Sequence, residues 1–126
     1  MKGERSMVWI FWGIVALVII YFVYQMMPVE GVENITTDEL KNKLRNKNIQ
    51  FVDVRTPMEY NHHRIKQFKN IPLPVLRKEC VKLDQEKEVV LICRSGSRSL
   101  RAARILKKAG FTNIKNVIGG MNHWQP

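Results

Sequence analysis

The sequence predicts an α/β domain with a central, mainly parallel sheet flanked by helices, preceded by one transmembrane helix. Two observations predict this fold. Short apolar runs at residues 49–55, 88–93 and 113–118 alternate with segments of helical pattern, which is typical of strands in a parallel sheet. An uncharged apolar run at residues 7–27 lies ahead of them.

The N-terminal run is long enough to cross a bilayer, since a helix of this length measures about 30 Å. Trp9, Trp12, Tyr21 and Tyr24 lie towards its two ends, as in the aromatic belts of membrane proteins. A cleaved secretory signal is the alternative, but residues 25–28 offer no small-residue cleavage site. We expect the chain to divide into a short N-terminal tail, a transmembrane helix, a linker and a folded domain, at residues 1–6, 7–27, 28–33 and 34–126.

The chain is strongly cationic, with 21 Lys and Arg against 11 Asp and Glu. Such a charge suits nucleic acid, an anionic membrane surface or a small anionic substrate. The absence of nucleic-acid-binding motifs argues against nucleic acid, and a solvated surface near anionic lipid accounts for most of the charge. The spacing of Cys80, Cys93, His62 and His63 fits no metal motif, so we expect no metal site.

The first half of the domain begins with a capping box at Thr36 and Glu39, which predicts a helix to about residue 46. The β-branched run at residues 49–55 predicts a strand that Thr56 and Pro57 end. A short helix, an extended segment and a second helix should follow, at about residues 58–64, 70–74 and 75–83.

In the second half, residues 84–88 are a polar turn, and the almost wholly apolar residues 88–93 predict a strand covered on both faces. A helix should begin near Ser99 and end at Gly110, after two lysines in its last turn. A last strand at residues 113–118 precedes a Gly-Gly pair. Parallel sheets bind ligands at the carboxyl ends of their strands, where Asp53, Arg55 and Cys93 lie.

Residues 94–98, here named the cradle loop, join the strand ending at Cys93 to the following helix. Gly96 permits the positive φ that so tight a turn needs. Backbone N–H groups of the loop and of the first helical turn can then converge on one point and form an anion cradle. A helix N-terminus and neighbouring arginines favour the thiolate form of Cys93, so we expect a nucleophile; a buried inert cysteine is the alternative.

The domain resembles single-domain rhodaneses over about residues 35–124. The resemblance rests on five ordered motifs: D-V-R at residues 53–55, P-x-E-Y at 57–60, N-I-P-L at 70–73, C-R-S-G-x-R-S at 93–99 and G-G-x-x-x-W at 119–124. After the E-Y element that family usually has G-H-I-x-G-A, whereas residues 63–68 read H-R-I-K-Q-F. Large side chains at two glycine positions put the pocket wall and the donor preference in question.

The resemblance implies a sulfurtransferase of the thiosulfate:cyanide class that carries sulfur as a persulfide on Cys93. Its donor would be a small anionic sulfur compound such as thiosulfate, its acceptor a thiol, cyanide or a protein, and no metal or organic cofactor would be required. The cradle loop would bind the donor through Arg94, Ser95, Gly96, Ser97 and Arg98. Asp53, Arg55 and Ser99 would support the loop, and Cys80 is expected to be an apolar core residue.

Two other functions stay open. Related cysteine phosphatases and arsenate reductases have five residues between cysteine and arginine, whereas four separate Cys93 from Arg98, which favours a single sulfur atom over a tetrahedral oxyanion. A membrane-tethered partner-binding or redox-sensing module is the second alternative.

The orientation of the chain in the membrane is nearly balanced by charge, since basic residues flank the apolar run almost equally. Because a persulfide enzyme needs thiol reductant, we expect the domain to be cytoplasmic with the N-terminus outside.

Overall fold

The computed structural model describes residues 2–126. Five strands alternate with helices along the chain. The strands are β1 (Val32–Ile35), β2 (Gln50–Asp53), β3 (Lys69–Asn70), β4 (Val89–Ile92) and β5 (Ile114–Val117). The helices are α1 (Lys2–Met26), α2 (Thr37–Lys43), α3 (Pro57–His62), α4 (Leu73–Glu79), α5 (Ser97–Lys108) and α6 (Gly120–His123), with a single 3₁₀ turn at Cys80–Lys82.

The strands form one sheet in the order β1-β5-β4-β2-β3, and all its pairings are parallel. Alternate residues of the central strands enter two apolar layers. Val52 and Leu91 face the layer that contains α4 and α5, while Phe51 and Val90 face the layer that contains Leu40 of α2. The predicted fold class is therefore confirmed, and the sheet is covered on both faces as the apolar run at residues 88–93 indicates.

The structure differs from the predicted linker at residues 28–33, because Val32 and Glu33 already belong to β1. Val32 pairs with Ile114 and Glu33 with Lys115 of β5, and the side chains of Glu33 and Lys115 also form an ion pair. A strand of four residues with two polar members has too little apolar pattern to be recognised. Its formation depends on pairing with a distant strand.

Helix α1 is long and apolar enough to span a bilayer, a test that a signal sequence also passes. The stretch Glu4–Gln25 has a mean hydropathy of 2.4, and none of the apolar window within it is buried by the rest of the chain. A helix buried in a domain core would be covered on most of its faces. The described part of α1 is thus not a core helix of the α/β domain.

The segment that departs from the rhodanese pattern is accommodated without left-handed backbone. Among residues 2–126, positive φ occurs only at glycines, and His63 is extended with φ −157° and ψ 125°. Phe68 is 2% exposed and packs on Phe51 at a ring-centroid distance of 5.2 Å. Arg64 lies over the Tyr60 ring. The large side chains therefore fill the core and the surface, and they do not strain the chain.

Two glycines bring the C-terminal segment against the cradle loop. Gly119 and Gly120 have positive φ, and the Met121 N–H donates to the carbonyl oxygen of Cys93 at 2.8 Å. A Cβ atom on Gly120 would lie 2.2 Å from that same oxygen. The close approach of α6 to the end of β4 therefore requires glycine at this position.

We expect Gly120→Ala to destabilise the fold more than Gly31→Ala. Both glycines have positive φ, which makes alanine about 1–2 kcal/mol less favourable at either position. Only the Gly120 Cβ would strike backbone, since the Gly31 Cβ meets the flexible end of Lys107. Thermal unfolding of the detergent-solubilised full chain measures both; equal losses would show that α6 does not need the close approach.

Candidate functional site

The candidate site lies where β2 and β4 end, at the carboxyl edge of the sheet. Because the two strands are adjacent and parallel, Asp53 lies beside Ile92 in the pairing register, one residue before Cys93. The Val54 N–H extends the pairing with a hydrogen bond of 3.0 Å to the Ile92 carbonyl. The fold therefore brings the Asp53–Arg55 segment and the cradle loop side by side, as expected of strand ends in a parallel sheet.

Cys93 lies at the base of the cradle loop with its sulfur engaged by the loop. The Gly96 N–H donates to Cys93 Sγ at 2.9 Å, in a turn where Gly96 has a φ of +112°. Ser99 Oγ lies 3.4 Å from the sulfur and also donates to the Gly96 carbonyl at 2.9 Å. Cys93 and Ser99 are both buried, and Cys93 is 1% exposed. A backbone donor aimed at sulfur stabilises negative charge there.

A buried ion pair holds the end of β2. The Arg55 guanidinium contacts both carboxylate oxygens of Asp53, with Nη2 at 2.7 Å from Oδ2. Its remaining hydrogens reach the backbone carbonyls of Glu59 at 3.3 Å and His63 at 2.6 Å. One side chain therefore ties the strand to the middle and to the C-terminal end of α3. Asn70 Nδ2 donates to the carbonyls of Asp53 and Arg55. The donors of the Arg55 guanidinium are thus directed at Asp53 and at the backbone of residues 59 and 63.

Glu59 connects α3 to the cradle loop through Arg98. The two side chains form a bidentate ion pair with distances of 2.7 and 2.9 Å. Hydrogen bonding to Arg98, with additional hydrogen bonds from Thr56, lowers the pKa of Glu59 from its ordinary 4.5 to about 2. The same contact raises the pKa of Arg98, which is charged in any case. Arg98 is therefore held at the edge of the loop by a carboxylate.

A cavity of about 310 Å³ opens beside the cradle loop. Arg94, in the exposed part of the loop, lines this cavity. His62 and His63, at the end of α3, line it as well. Asn122 belongs to α6, and the backbone N–H of Asn122 donates to the Arg94 carbonyl at 2.9 Å. The wall of this cavity is formed by Arg55, Glu59, His62, His63, Arg94, Met121 and Asn122.

A sequence model of the rhodanese-like domain matches residues 36–126, which include every element from α2 to α6. The chain belongs to the rhodanese-like family. A rhodanese-like domain protein from Staphylococcus aureus has a similar crystal structure, with a TM-score of 0.68 and 36% identity over 74% of this chain and 91% of that one. The sheet, the helices and the order of the elements are thus those of a rhodanese-like fold.

Relatives from bacteria match most of the chain. The uncharacterized protein YqhL of Bacillus subtilis is 34% identical over 115 residues, which are 91% of this chain and 87% of YqhL. A sulfurtransferase of Allochromatium vinosum is 29% identical, covering 74% of this chain and 88% of its own length. YrkF of Bacillus subtilis is 35% identical, and the match spans about half of it, 51%. Rhodanese-like relatives of this kind support a sulfur-transfer function.

The structure places the predicted residues in three groups. Cys93, Gly96 and Ser99 are buried and in mutual contact, while Arg94 and Ser95 are exposed on the loop. Ser97 begins α5, Arg98 pairs with Glu59, and Asp53 and Arg55 pair with each other beneath α3. Cys80 is 5% exposed and lies in the apolar layer that contains α4 and α5. Among residues 2–126 no three His, Cys, Asp or Glu side chains cluster as metal ligands do.

Sequence reasoning missed Glu59, His62, His63 and Asn122 as members of the site. Glu59 is part of a capping box with Thr56, a signal that was available in the sequence and that explains why α3 starts there. The two histidines and Asn122 become neighbours of Arg94 only through tertiary folding, so their positions in the sequence carry no sign of it.

We expect Glu59→Gln to destabilise the fold by about 1 kcal/mol at pH 7, with Glu39→Gln as the control. Both glutamates lie at the third position of a helix capped by threonine, but only Glu59 binds an arginine. Because the folded-state pKa is depressed, the stabilisation is complete above about pH 4.5 and lost as the pH falls to about 2. Urea unfolding between pH 7 and pH 2.5 measures this difference. A gap that persists unchanged at the lowest pH would contradict the charged pair.

Proposed function

We propose that the chain is a membrane-anchored sulfurtransferase that carries sulfane sulfur as a persulfide on Cys93. The observation that supports this most strongly is the buried cradle, in which a backbone N–H points at Cys93 Sγ. The rhodanese-like relatives add independent support for transfer of sulfur. Thiosulfate is the proposed donor because its two negative charges suit the cavity beside the cradle loop, here called the mouth of the site, whose wall includes Arg94.

Loading begins with attack of the Cys93 thiolate on the outer sulfur of thiosulfate. A sulfur–sulfur bond forms to Cys93 while the bond to the sulfite group breaks, and sulfite leaves with the electron pair. The persulfide anion then lies within the cradle, where loop N–H groups such as that of Gly96 can donate to its charged terminal sulfur. Preorganised donors of this kind need no rearrangement at the moment of reaction.

Unloading is the second half of the cycle. Cyanide or a thiolate attacks the terminal sulfur, takes it as thiocyanate or as a new persulfide, and returns Cys93 as thiolate. Ser99 assists in both halves, since its hydroxyl can donate either to the Gly96 carbonyl or to the sulfur. The proposed roles are nucleophile for Cys93, donor binding for Arg94, Ser95, Gly96 and Ser97, and positioning for Asp53, Arg55, Ser99 and Arg98, whose guanidinium is paired with Glu59.

The size of the cradle supports sulfur over oxyanion chemistry. Only four residues separate Cys93 from Arg98, and Gly96 closes the ring with its N–H directed at the sulfur. Arg98 is also occupied by Glu59 in a bidentate ion pair. A tetrahedral oxyanion would require more donors around it and a free arginine.

The membrane anchor is proposed to be α1, with the catalytic domain in the cytoplasm. Support comes from the mean hydropathy of 2.4 and from the uncovered apolar surface of the helix. The match to YqhL covers 91% of the chain and therefore extends well ahead of Thr36, where the rhodanese-like domain begins. A cytoplasmic domain would meet the thiol reductants that unload a persulfide.

Treatment with thiosulfate should add the mass of one sulfur atom to the purified full chain. We expect Cys93→Ser to abolish the gain and Cys80→Ser to leave it intact, because Cys80 lies in the apolar layer away from the cradle. Cyanide or dithiothreitol should remove the added sulfur. Intact-mass spectrometry measures each step. A gain that survives in Cys93→Ser, or no gain from any sulfur donor in a folded protein, would refute the proposed carrier.

Reporters fused after Pro126 test the orientation. A reporter active only in the cytoplasm should be active, and one active only after export should be silent. The reverse pattern would place the domain outside, where free thiol reductants are scarce.

A further inference from the structure

Helix α5 is fastened to the end of α1 by Arg104. Its Nη2 donates to the carbonyl oxygens of Tyr24 at 3.0 Å and Met27 at 3.4 Å, and its guanidinium lies 5.1 Å from the centre of the Tyr24 ring. The last carbonyls of a helix have no partners within it and carry the negative end of its dipole. Arg104 therefore satisfies the C-terminus of α1 and sets how the domain sits on that helix.

The two helices run in the same direction where they meet. Near the start of α5, Ser97, Arg98 and Arg101 line a cavity of about 390 Å³ together with Tyr21, Phe22 and Gln25 of α1. Farther along, Arg104 meets Tyr24, and Lys107 hydrogen-bonds to the carbonyl of Glu30 beyond the end of α1. Contacts thus advance together along both helices, so the N-terminus of α5 points back along α1 towards its apolar span.

The cradle loop leads into that N-terminus, and its last two residues, Ser97 and Arg98, already belong to α5. Cys93 and the loop consequently lie at the end of the domain nearest the apolar span of α1. Glu59 of α3, which holds Arg98, lies at the same end, and its neighbour Met58 is 82% exposed. The sulfur site is therefore directed at the bilayer that α1 is proposed to cross.

Helix α5 carries a cationic face formed by Arg101, Arg104, Lys107 and Lys108. At 3.6 residues per turn these side chains fall within about a third of the helix circumference. The helix contains no acidic residue, and within the described part of the chain none of the four forms an ion pair with a carboxylate. Unneutralised basic side chains beside a membrane anchor attract anionic lipid headgroups.

We propose that Arg101, at the end of the cationic face nearest the cradle loop, docks on anionic phospholipid headgroups and holds the mouth of the Cys93 site at the bilayer surface. This inference rests on the proposed membrane anchor. Arg104 and Lys107 hydrogen-bond to backbone carbonyls at and beyond the end of α1, and Lys108 lies about 10 Å from Arg101 along α5, away from the apolar span. A sulfur donor or acceptor associated with the membrane would then meet Cys93 without leaving its surface.

Met58 and Val81 provide a matched pair of positions for testing the docking. Both are apolar and exposed, at 82% and 81%, but Met58 follows β2 at the carboxyl edge of the sheet, whereas Val81 lies in the 3₁₀ turn before β4 at the opposite edge. Photoreactive benzoylphenylalanine is placed at either position in the full chain. The protein is reconstituted in phosphatidylcholine vesicles with or without phosphatidylglycerol and irradiated, and intact mass reports phospholipid adducts.

The expected result is abundant lipid adduct at position 58 in vesicles with phosphatidylglycerol and little at position 81. Arg101→Gln should lower the adduct at position 58 about fivefold, the effect of one basic side chain near an anionic surface. The same substitution should leave sulfur loading from thiosulfate in detergent unchanged. Equal labelling at the two positions, or labelling at 58 that is indifferent to phosphatidylglycerol and to Arg101→Gln, would overturn the docking.

An alkaline wash of the vesicles tests the membrane anchor separately from the headgroup docking. If the full chain stays with the vesicles at high pH, α1 is an anchor, and the labelling pattern alone decides the docking. If the wash releases the chain, the anchor is refuted and the docking with it. Sulfur loading on Cys93 is measured independently of both.

Discussion

The buried ion pair of Asp53 and Arg55 is the interaction on which the site depends. A charged pair in the interior is stable only when its hydrogen-bonding capacity is used, and here the guanidinium also binds the carbonyls of Glu59 and His63. It thereby fixes α3 on the end of β2. Removal of either partner would leave an uncompensated charge between the sheet and α3, so the position of α3 is set by electrostatics as much as by packing.

From this pair a chain of contacts leads to the sulfur. The position of α3 presents Glu59 to Arg98, and Arg98 anchors the first turn of α5. That first turn of α5 places Ser99 Oγ and the Gly96 N–H next to Cys93 Sγ. On the other side, Gly120 lets α6 approach so closely that Met121 binds the Cys93 carbonyl. Cys93 is thus held by hydrogen bonds from both flanks.

Much of this arrangement could be predicted from the sequence, because its signals are local. The apolar run before Cys93, the glycine in the loop and the stop signal at Gly110 each follow from backbone and side-chain preferences over a few residues. The predicted start of α5 near Ser99 differed from the observed Ser97 by two residues, within the ordinary variation of helix ends. The Asp53–Arg55 pairing could be inferred because the two residues are separated by only one position on a strand end.

What could not be predicted depends on contacts between distant segments. β1 has no pattern of its own and exists through pairing with β5. The Glu59–Arg98 ion pair joins residues 39 positions apart, and Arg104 reaches α1 across 80 positions. His63 and Gln67 occupy positions where the family usually has glycine, and side chains disfavour the positive φ that glycine permits. The backbone avoids that region, so the large residues are compatible with the fold.

The most direct test of the central claim is a crystal structure of the protein after treatment with thiosulfate. A second sulfur atom bonded to Cys93 Sγ, within hydrogen-bonding distance of the Gly96 N–H and its neighbours in the cradle loop, is the predicted result. An unmodified Cys93 beneath an oxyanion bound in the loop would contradict the account. So would a persulfide found on Cys80 alone.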